Sequence, residues 1–332
     1  MPTPLSPLGN LFQGLEAVRM AYVRVLALEY ERPVAIRILG WMLIHAPNGA
    51  GQAHLASSID QCSNTQAIIA LGEYYFQYFL KYFRAIANKP TPTPSNHPDP
   101  SIDDLRDMIM NSVDQAPTGH SQAKKRALVR DNYRCQLTGT VDTEAYLGSP
   151  MVEEQVDANA LNVSQTECHH ILPQYIGHNI TDNPERTANA SMIWSIVQIF
   201  GGIPQVEVNG PGIHHLRNIM TLRGDIHTAF DRLQVWLEPV DGQDNVYNIG
   251  RLRPAICRDL PATVTLTTNT GLPLPDRRYL ALQAACAKVV CMSGAAEPID
   301  SILRDAEETK VLSQDGSSVS LLDMLLYGHA PA

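Results

Sequence analysis

A chain of 332 residues with 44% hydrophobic side chains is long enough to bury a substantial core, in one large domain or two modest ones. Its formal charge of −9 excludes a protein that attracts nucleic acid over its whole surface, so any such partner must be met by a local basic strip. No run of apolar residues reaches the length needed to span a bilayer, and the N-terminal stretch MPTPLSPLGN has no basic start leading into an apolar core, so the expectation is an intracellular protein, cytoplasmic or nuclear, with no membrane partner.

Residues 12–88 carry apolar side chains at mixed three and four spacing in LEAVRMAYVRVLALEYE and RPVAIRILGWMLIHA, followed by the aromatic TQAIIALGEYYFQYFLKYFRAIA. That periodicity predicts helices, and the Tyr/Phe stripe is read as helix packing. Next comes NKPTPTPSNHPDPS, too dense in proline for a helix or a central strand. The expected organisation is a helical domain over 1–88, a linker over 89–101 and a second domain over 102–332. A short amphipathic helix is expected in IDDLRDMIMNSVDQA.

Beyond residue 120, SQAKKRALVRDNYRCQLTG reads as a basic helix ending in a turn at Thr138–Gly139. Lys124, Lys125, Arg126, Arg130 and Arg134 lie in this segment, with Arg126 and Arg130 sharing a helical face that can meet backbone phosphates. ASMIWSIVQIF is an expected helix. RLQVWLEPVDGQDNVYNIG alternates about a turn at Asp241–Gly242 and reads as a hairpin, and ATVTLTT as a further strand. PDRRYLALQAACAKVVCM and SLLDMLLYG close the chain as helices. The six cysteines form no C-x-x-C pair and are expected reduced; Cys286 and Cys291 read as buried thiols on a helix. The Asn162, Asn179 and Asn189 sequons are read as chance matches, and NGPG lacks the lysine of a phosphate loop.

Two segments stand out chemically. TECHHILPQ places His169 beside His170. In an extended strand the two point to opposite faces, so one can hold a cation while the other takes a proton from water. LRNIMTLRGDIHTAFD reads as a strand running into a helix, with Asp225 as the expected cap. His227 and Asp231, four apart, then share one helix face and can hold a cation from the same side. Asn218 is placed to fix the loop that carries a backbone carbonyl. His214 and His215, close to Asn218, read as supporting or structural side chains.

The order CHHILP … N-x8-H-x3-D, preceded by RDNYRCQLTG, resembles the HNH endonuclease family over roughly residues 121–240. The resemblance implies a ββα-metal core; with the helical periodicity before it and the hairpin and helices after it, the expected fold is α+β, a mainly helical N-terminal region followed by that core with an appended β-hairpin and C-terminal helices. It implies metal-dependent phosphodiester hydrolysis with one divalent ion (Mg, Mn, Zn or Ni) and nucleic acid as partner, DNA ahead of RNA. By the same resemblance His170 is the general base, Asn218 positions it, and His169, His227 and Asp231 are metal ligands. Two departures accompany it. Only Cys135 and Cys168 lie nearby, so the family's paired-cysteine zinc is not implied, and residues 171–217 form a long segment between base and asparagine. That segment and the acidic balance leave room for a recruited scaffold acting on a small molecule, or for a non-catalytic interaction protein.

Overall fold

The computed structural model describes residues 2–84, 101–173 and 184–308. Most of the proline-rich stretch and the expected helix over 320–328 lie outside the described residues.

The first 84 residues fold as helices: α1 (Glu16–Ala27), α2 (Pro33–Ile44), α3 (Gly49–Gln61), α4 (Thr65–Tyr75), a π-helical turn (Phe76–Leu80) and α5 (Lys81–Arg84). Proline opens α2, where its fixed φ suits the first turn and its missing N–H costs nothing. Asn48 and Asn64 cap α3 and α4, their side chains accepting from Gly51 N and Ala67 N at 2.8 and 2.9 Å. Helix α2 is buried on nearly every side, which makes it the central rod of this layer. Helix α4 crosses it so closely that a Cβ on Gly72 would stand 2.2 Å from the carbonyl oxygen of Ala35.

The rest of the described chain alternates helix and short strand: α6 (Ile102–Met110), α7 (His120–Arg130), β1 (Val141–Asp142), α8 (Thr143–Gly148), α9 (Pro150–Asn159), β2 (Val163–Ser164), β3 (Thr166–His170), α10 (Pro184–Ile199), α11 (Gln205–Val208), β4 (Ile219–Arg223), α12 (Gly224–Asp231), β5 (Val235–Pro239), β6 (Val246–Arg251), β7 (Thr263–Thr265), α13 (Arg277–Ser293) and α14 (Ala296–Glu308). Strands β3 and β4 pair antiparallel, β1 and β2 pair parallel, and β5–β6–β7 form an antiparallel sheet that contains the expected hairpin. The result is the α+β mix read from the sequence. Among the described residues no single helix is long and apolar enough to cross a membrane.

One apolar cluster runs from Leu5 through α2, α10 and α12 to Ile299 on α14. Arg84, itself buried, makes paired contacts of 2.7 and 2.8 Å with the Asp300 carboxylate and donates to the Arg232 carbonyl. It thereby joins the end of the N-terminal helices to α14 and to the end of α12. A second, smaller cluster lies under α7 and contains Ala123, Ala127, Val141, Cys168 and Ile219.

Candidate metal centre

Strand β3 is held from both ends. Asp142 caps α8 through Ala145 N at 3.0 Å, and its other oxygen accepts from the Thr166 hydroxyl at 2.6 Å, fixing where β3 begins. Past its end, Asn218 accepts from Leu172 N at 2.8 Å and donates to the carbonyls of Leu172 and Ile213 at 3.1 and 2.9 Å. Asn218 is fully buried, and these hydrogen bonds go to backbone and not to either ring of the histidine pair. It stitches the loop after His170 to the turn before His214.

The pairing register sets His169 opposite Met220 and His170 opposite Ile219. Because side chains alternate across a strand, Glu167 and His169 face one side while Cys168 and His170 face the other. Helix α12 starts directly after β4 and brings His227 and Asp231 to the first side.

There, His169 Nδ1 stands 3.2 Å from Asp231 Oδ1, and His227 Nε2 stands 3.7 Å from Asp231 Oδ2. Ligand atoms of His169, His227 and Asp231 all lie within 4.8 Å of one another. His169 Nδ1 and Asp231 Oδ1 face each other at 3.2 Å without the alignment of a good hydrogen bond, and His169 Nε2 is buried with no hydrogen-bond partner. Each such atom costs about 1–3 kcal/mol if left unsatisfied. A cation taking the lone pair of one His169 nitrogen and of Asp231 Oδ1 removes the cost for those two atoms, so these three side chains fit a divalent metal ion. Imidazole with carboxylate suits Mg, Mn, Zn or Ni.

Glu167 completes the arrangement and was not among the residues expected from the sequence. Its Oε2 lies 2.8 Å from His227 Nδ1. Placing the ring proton on Nδ1 leaves the Nε2 lone pair turned to Asp231. The signal was its position two residues before His169, which in a strand means the same face. Burial lowers the His227 pKa, but the hydrogen bond that its Nδ1–H donates to Glu167 and the charges of Asp231 and Glu167 outweigh it and hold the imidazole above its ordinary value. That same hydrogen bond leads in keeping Glu167 below the usual carboxylate range. On His169 burial wins over Asp231 and the pKa falls.

His170 sits on the other face, in a nest of imidazoles. Its Nε2 is 3.1 Å from His214 Nδ1, and its ring stacks on His120 at 5.4 Å between centroids. Burial, then the neighbouring His120 and His214, push its pKa well below the ordinary value and keep the ring neutral. His214, read from the sequence as a supporting residue, is therefore the direct partner of His170.

Residues 135–238 match the model of the HNH endonuclease family. The family model covers β3, β4 and α12, the HNH unit that holds both histidines, Asn218, His227 and Asp231, and stops within β5. Nothing among curated proteins or solved structures matches the chain.

The expected basic face needs correction. Arg130 is fully buried: it pairs with the Asp131 carboxylate at 2.7 and 2.9 Å and donates to the carbonyls of Leu216, Ile219 and Pro273. Arg126 is buried against the carbonyl and hydroxyl of Ser112, both at 2.9 Å. Neither guanidinium is available to a phosphate. Their helical face is the one that docks onto β3 and β4, while Lys124, Lys125 and Arg134 stay partly exposed. Asp225 likewise does not cap α12. Its carboxylate pairs with the Arg223 guanidinium at 2.6 and 2.9 Å, and no side chain caps that helix.

Proposed function

We propose that the HNH unit hydrolyses phosphodiester bonds in nucleic acid, DNA ahead of RNA, at the centre formed by His169, His227 and Asp231. The observation that carries this reading is the convergence of those three side chains, with buried unsatisfied nitrogens and oxygen, inside the family segment. A bound divalent cation supplies electrostatic stabilisation of the charge that develops on the phosphate and the leaving oxygen. Glu167 sets the tautomer of His227, and Asp231 offers one oxygen to each histidine.

His170 serves as the general base; its ring is neutral, and burial with the neighbouring imidazoles makes the protonated form short-lived, so the proton is held only in passing. The 3.1 Å contact with His214 ties the choice of nitrogen to the tautomer of the pair. When His170 donates Nε2–H to His214 Nδ1, its own Nδ1 keeps the lone pair. Asn218 is a positioning residue: it holds the backbone on either side of the two rings. Lys124, Lys125 and Arg134 provide the local positive charge, so affinity for a polynucleotide is modest and falls steeply with salt. The helical N-terminal region is scaffold for this unit, and the free thiols suit an intracellular setting, cytoplasmic or nuclear.

The inward turn of Arg126 and Arg130 favours a second reading, in which the same centre acts on a short or small phosphodiester. The full chain tests both with plasmid DNA and bis(p-nitrophenyl) phosphate, each with Mg, Mn, Zn or Ni. His170→Ala is expected to lower cleavage by about 10²–10⁴-fold while cation affinity stays within twofold, on the scale of general-base help. Asp231→Ala is expected to lose both cleavage and cation. Turnover of the small diester with intact plasmid selects the second reading. Plasmid cleavage by Asp231→Ala at the wild-type rate, or inertness on both substrates with every cation, overturns the hydrolytic proposal.

A further inference from the structure

The second face of β3 carries its own set of donors. Ligand atoms of His120, Cys168 and His170 lie within 4.8 Å of one another, and His214 Nδ1 is 3.1 Å from His170 Nε2. We propose that His120, Cys168, His170 and His214 form a second cation site, of thiolate–imidazole type suited to Zn²⁺, on the side of β3 opposite the His169 centre.

The donor set argues for this. It contains a thiol and three imidazoles and no carboxylate, the composition that selects zinc over magnesium or manganese. Tetrahedral zinc with Zn–N of about 2.0–2.1 Å and Zn–S of about 2.3 Å places its ligand atoms roughly 3.3–3.6 Å apart. The His170–His214 pair is already near that spacing. The His120, Cys168 and His170 donors, mutually within 4.8 Å, need side-chain shifts of about 1 Å to reach that spacing, and His214 joins them through its contact with His170.

The ordinary alternative is a buried cysteine packed as a small apolar residue, and Cys168 does touch the apolar cluster under α7. An apolar role does not account for three imidazoles gathered beside it. His214 and His170 are both buried, and their rings meet edge to face at 5.3 Å. His120, the first residue of α7, is half-buried and gives the cluster its way in from solvent.

Binding has a defined proton balance. The imidazoles move their ring protons to the nitrogens away from the cation, and the Cys168 thiol gives its proton to solvent, one per cation bound. A cation on Nε2 of His170 leaves the proton on Nδ1, so on the proposed function the zinc-free chain is the hydrolytic form and zinc at this second site switches the base off. The four ligands come from α7, β3 and the turn at 210–214, so zinc ties these elements together. His120 lies outside the segment matched by the family.

Cobalt(II) titration of the full chain, followed by absorbance, tests this without reference to hydrolysis. The expected result is a thiolate-to-cobalt charge-transfer band in the near ultraviolet that saturates by two equivalents, with the intensity of a single thiolate site, and is removed by excess zinc. Cys168→Ser abolishes the band yet still binds cobalt at the His169 centre. His120→Ala, changed at a half-exposed helix start and checked by circular dichroism, weakens the cobalt affinity reported by the band at least tenfold. No band in the folded wild-type chain, a band that survives Cys168→Ser, or wild-type affinity in His120→Ala overturns the proposal. Should Cys168→Ser fail to fold, His120→Ala decides.

Discussion

The two faces of one five-residue strand have been given different chemistries. Glu167 and His169 look toward α12 and meet Asp231 and His227; Cys168 and His170 look toward α7 and the turn at 210–214 and meet His120 and His214. The first face is rich in carboxylate and partly open through His227 and Glu167, whose side chains keep 21% and 28% of their exposure. The second is made of imidazole and thiol and is more deeply enclosed. Carboxylates raise the charge a site can neutralise and favour hard cations, whereas thiol and imidazole favour zinc. Strand alternation is enough to keep these environments apart although the residues are adjacent in the chain.

The largest expected effect comes from breaking what both faces share. Arg130 donates to the carbonyls of Leu216 and Ile219, the latter opposite His170 in the strand register, and neutralises buried Asp131, which in turn accepts from Thr221 N. Arg130→Met leaves that carboxylate buried and uncompensated and frees the start of β4. A loss of about 3–5 kcal/mol is expected, the cost of removing one partner from a buried ion pair, as measured by urea unfolding. Stability within 1 kcal/mol of wild type would mean that each face is held by its own elements and not by this clamp.

Glu167 separates the faces more gently. Its carboxylate reaches only the His169 side, where it holds the ring of His227 at 2.8 Å. Glu167→Gln is expected to weaken cation affinity or turnover at that centre by about 10–100-fold, the usual effect of losing a partner that orients a metal-bound histidine. The charge-transfer band assigned to Cys168 stays in place. A simultaneous loss of both signals would show that the strand acts as one unit.

Much of this was readable from local pattern. The i,i+4 spacing of His227 and Asp231 put them on one face of α12, the alternation about Asp241–Gly242 gave β5 and β6, and the basic periodicity gave α7. What escaped reading depends on docking between distant segments. Helical periodicity assigns Arg126 and Arg130 to a common face but does not say that β3 and β4 cover that face. Nothing local to His120 connects it with His170, fifty positions on, since their contact exists only once α7 lies on the strand. Glu167 is an intermediate case: period two already placed it beside His169, but its partner on α12 came from the fold.

The smallest expected effect is a baseline against which both histidine faces can be judged under acid. His45, at the end of α2 and stacked on Trp41, belongs to neither cluster. Burial, then Lys288, lowers its pKa to about 4 against the opposing charge of Glu238. The folded pKa lies below the unfolded value of about 6.5, so between about pH 4 and 6.5 the unfolded chain binds more protons than the folded one. The associated stability is fully present above pH 6.5 and is lost progressively as the pH falls toward 4. A shift of this size corresponds to about 3 kcal/mol, reduced to roughly 1–2 kcal/mol because His45 keeps some contact with water. His45→Phe retains the stacking on Trp41 and carries no titrating group. Urea unfolding of this variant at pH 7 and pH 4.5 should therefore show a smaller acid loss than wild type, by about 1 kcal/mol or more. The acid loss that remains in His45→Phe belongs to the other titrating groups, the buried His169 and His170 among them, and its change on adding magnesium or zinc reports which face of β3 the cation occupies. An acid loss equal to wild type would show that His45 is hydrated in the folded state and would leave the whole dependence to those other groups.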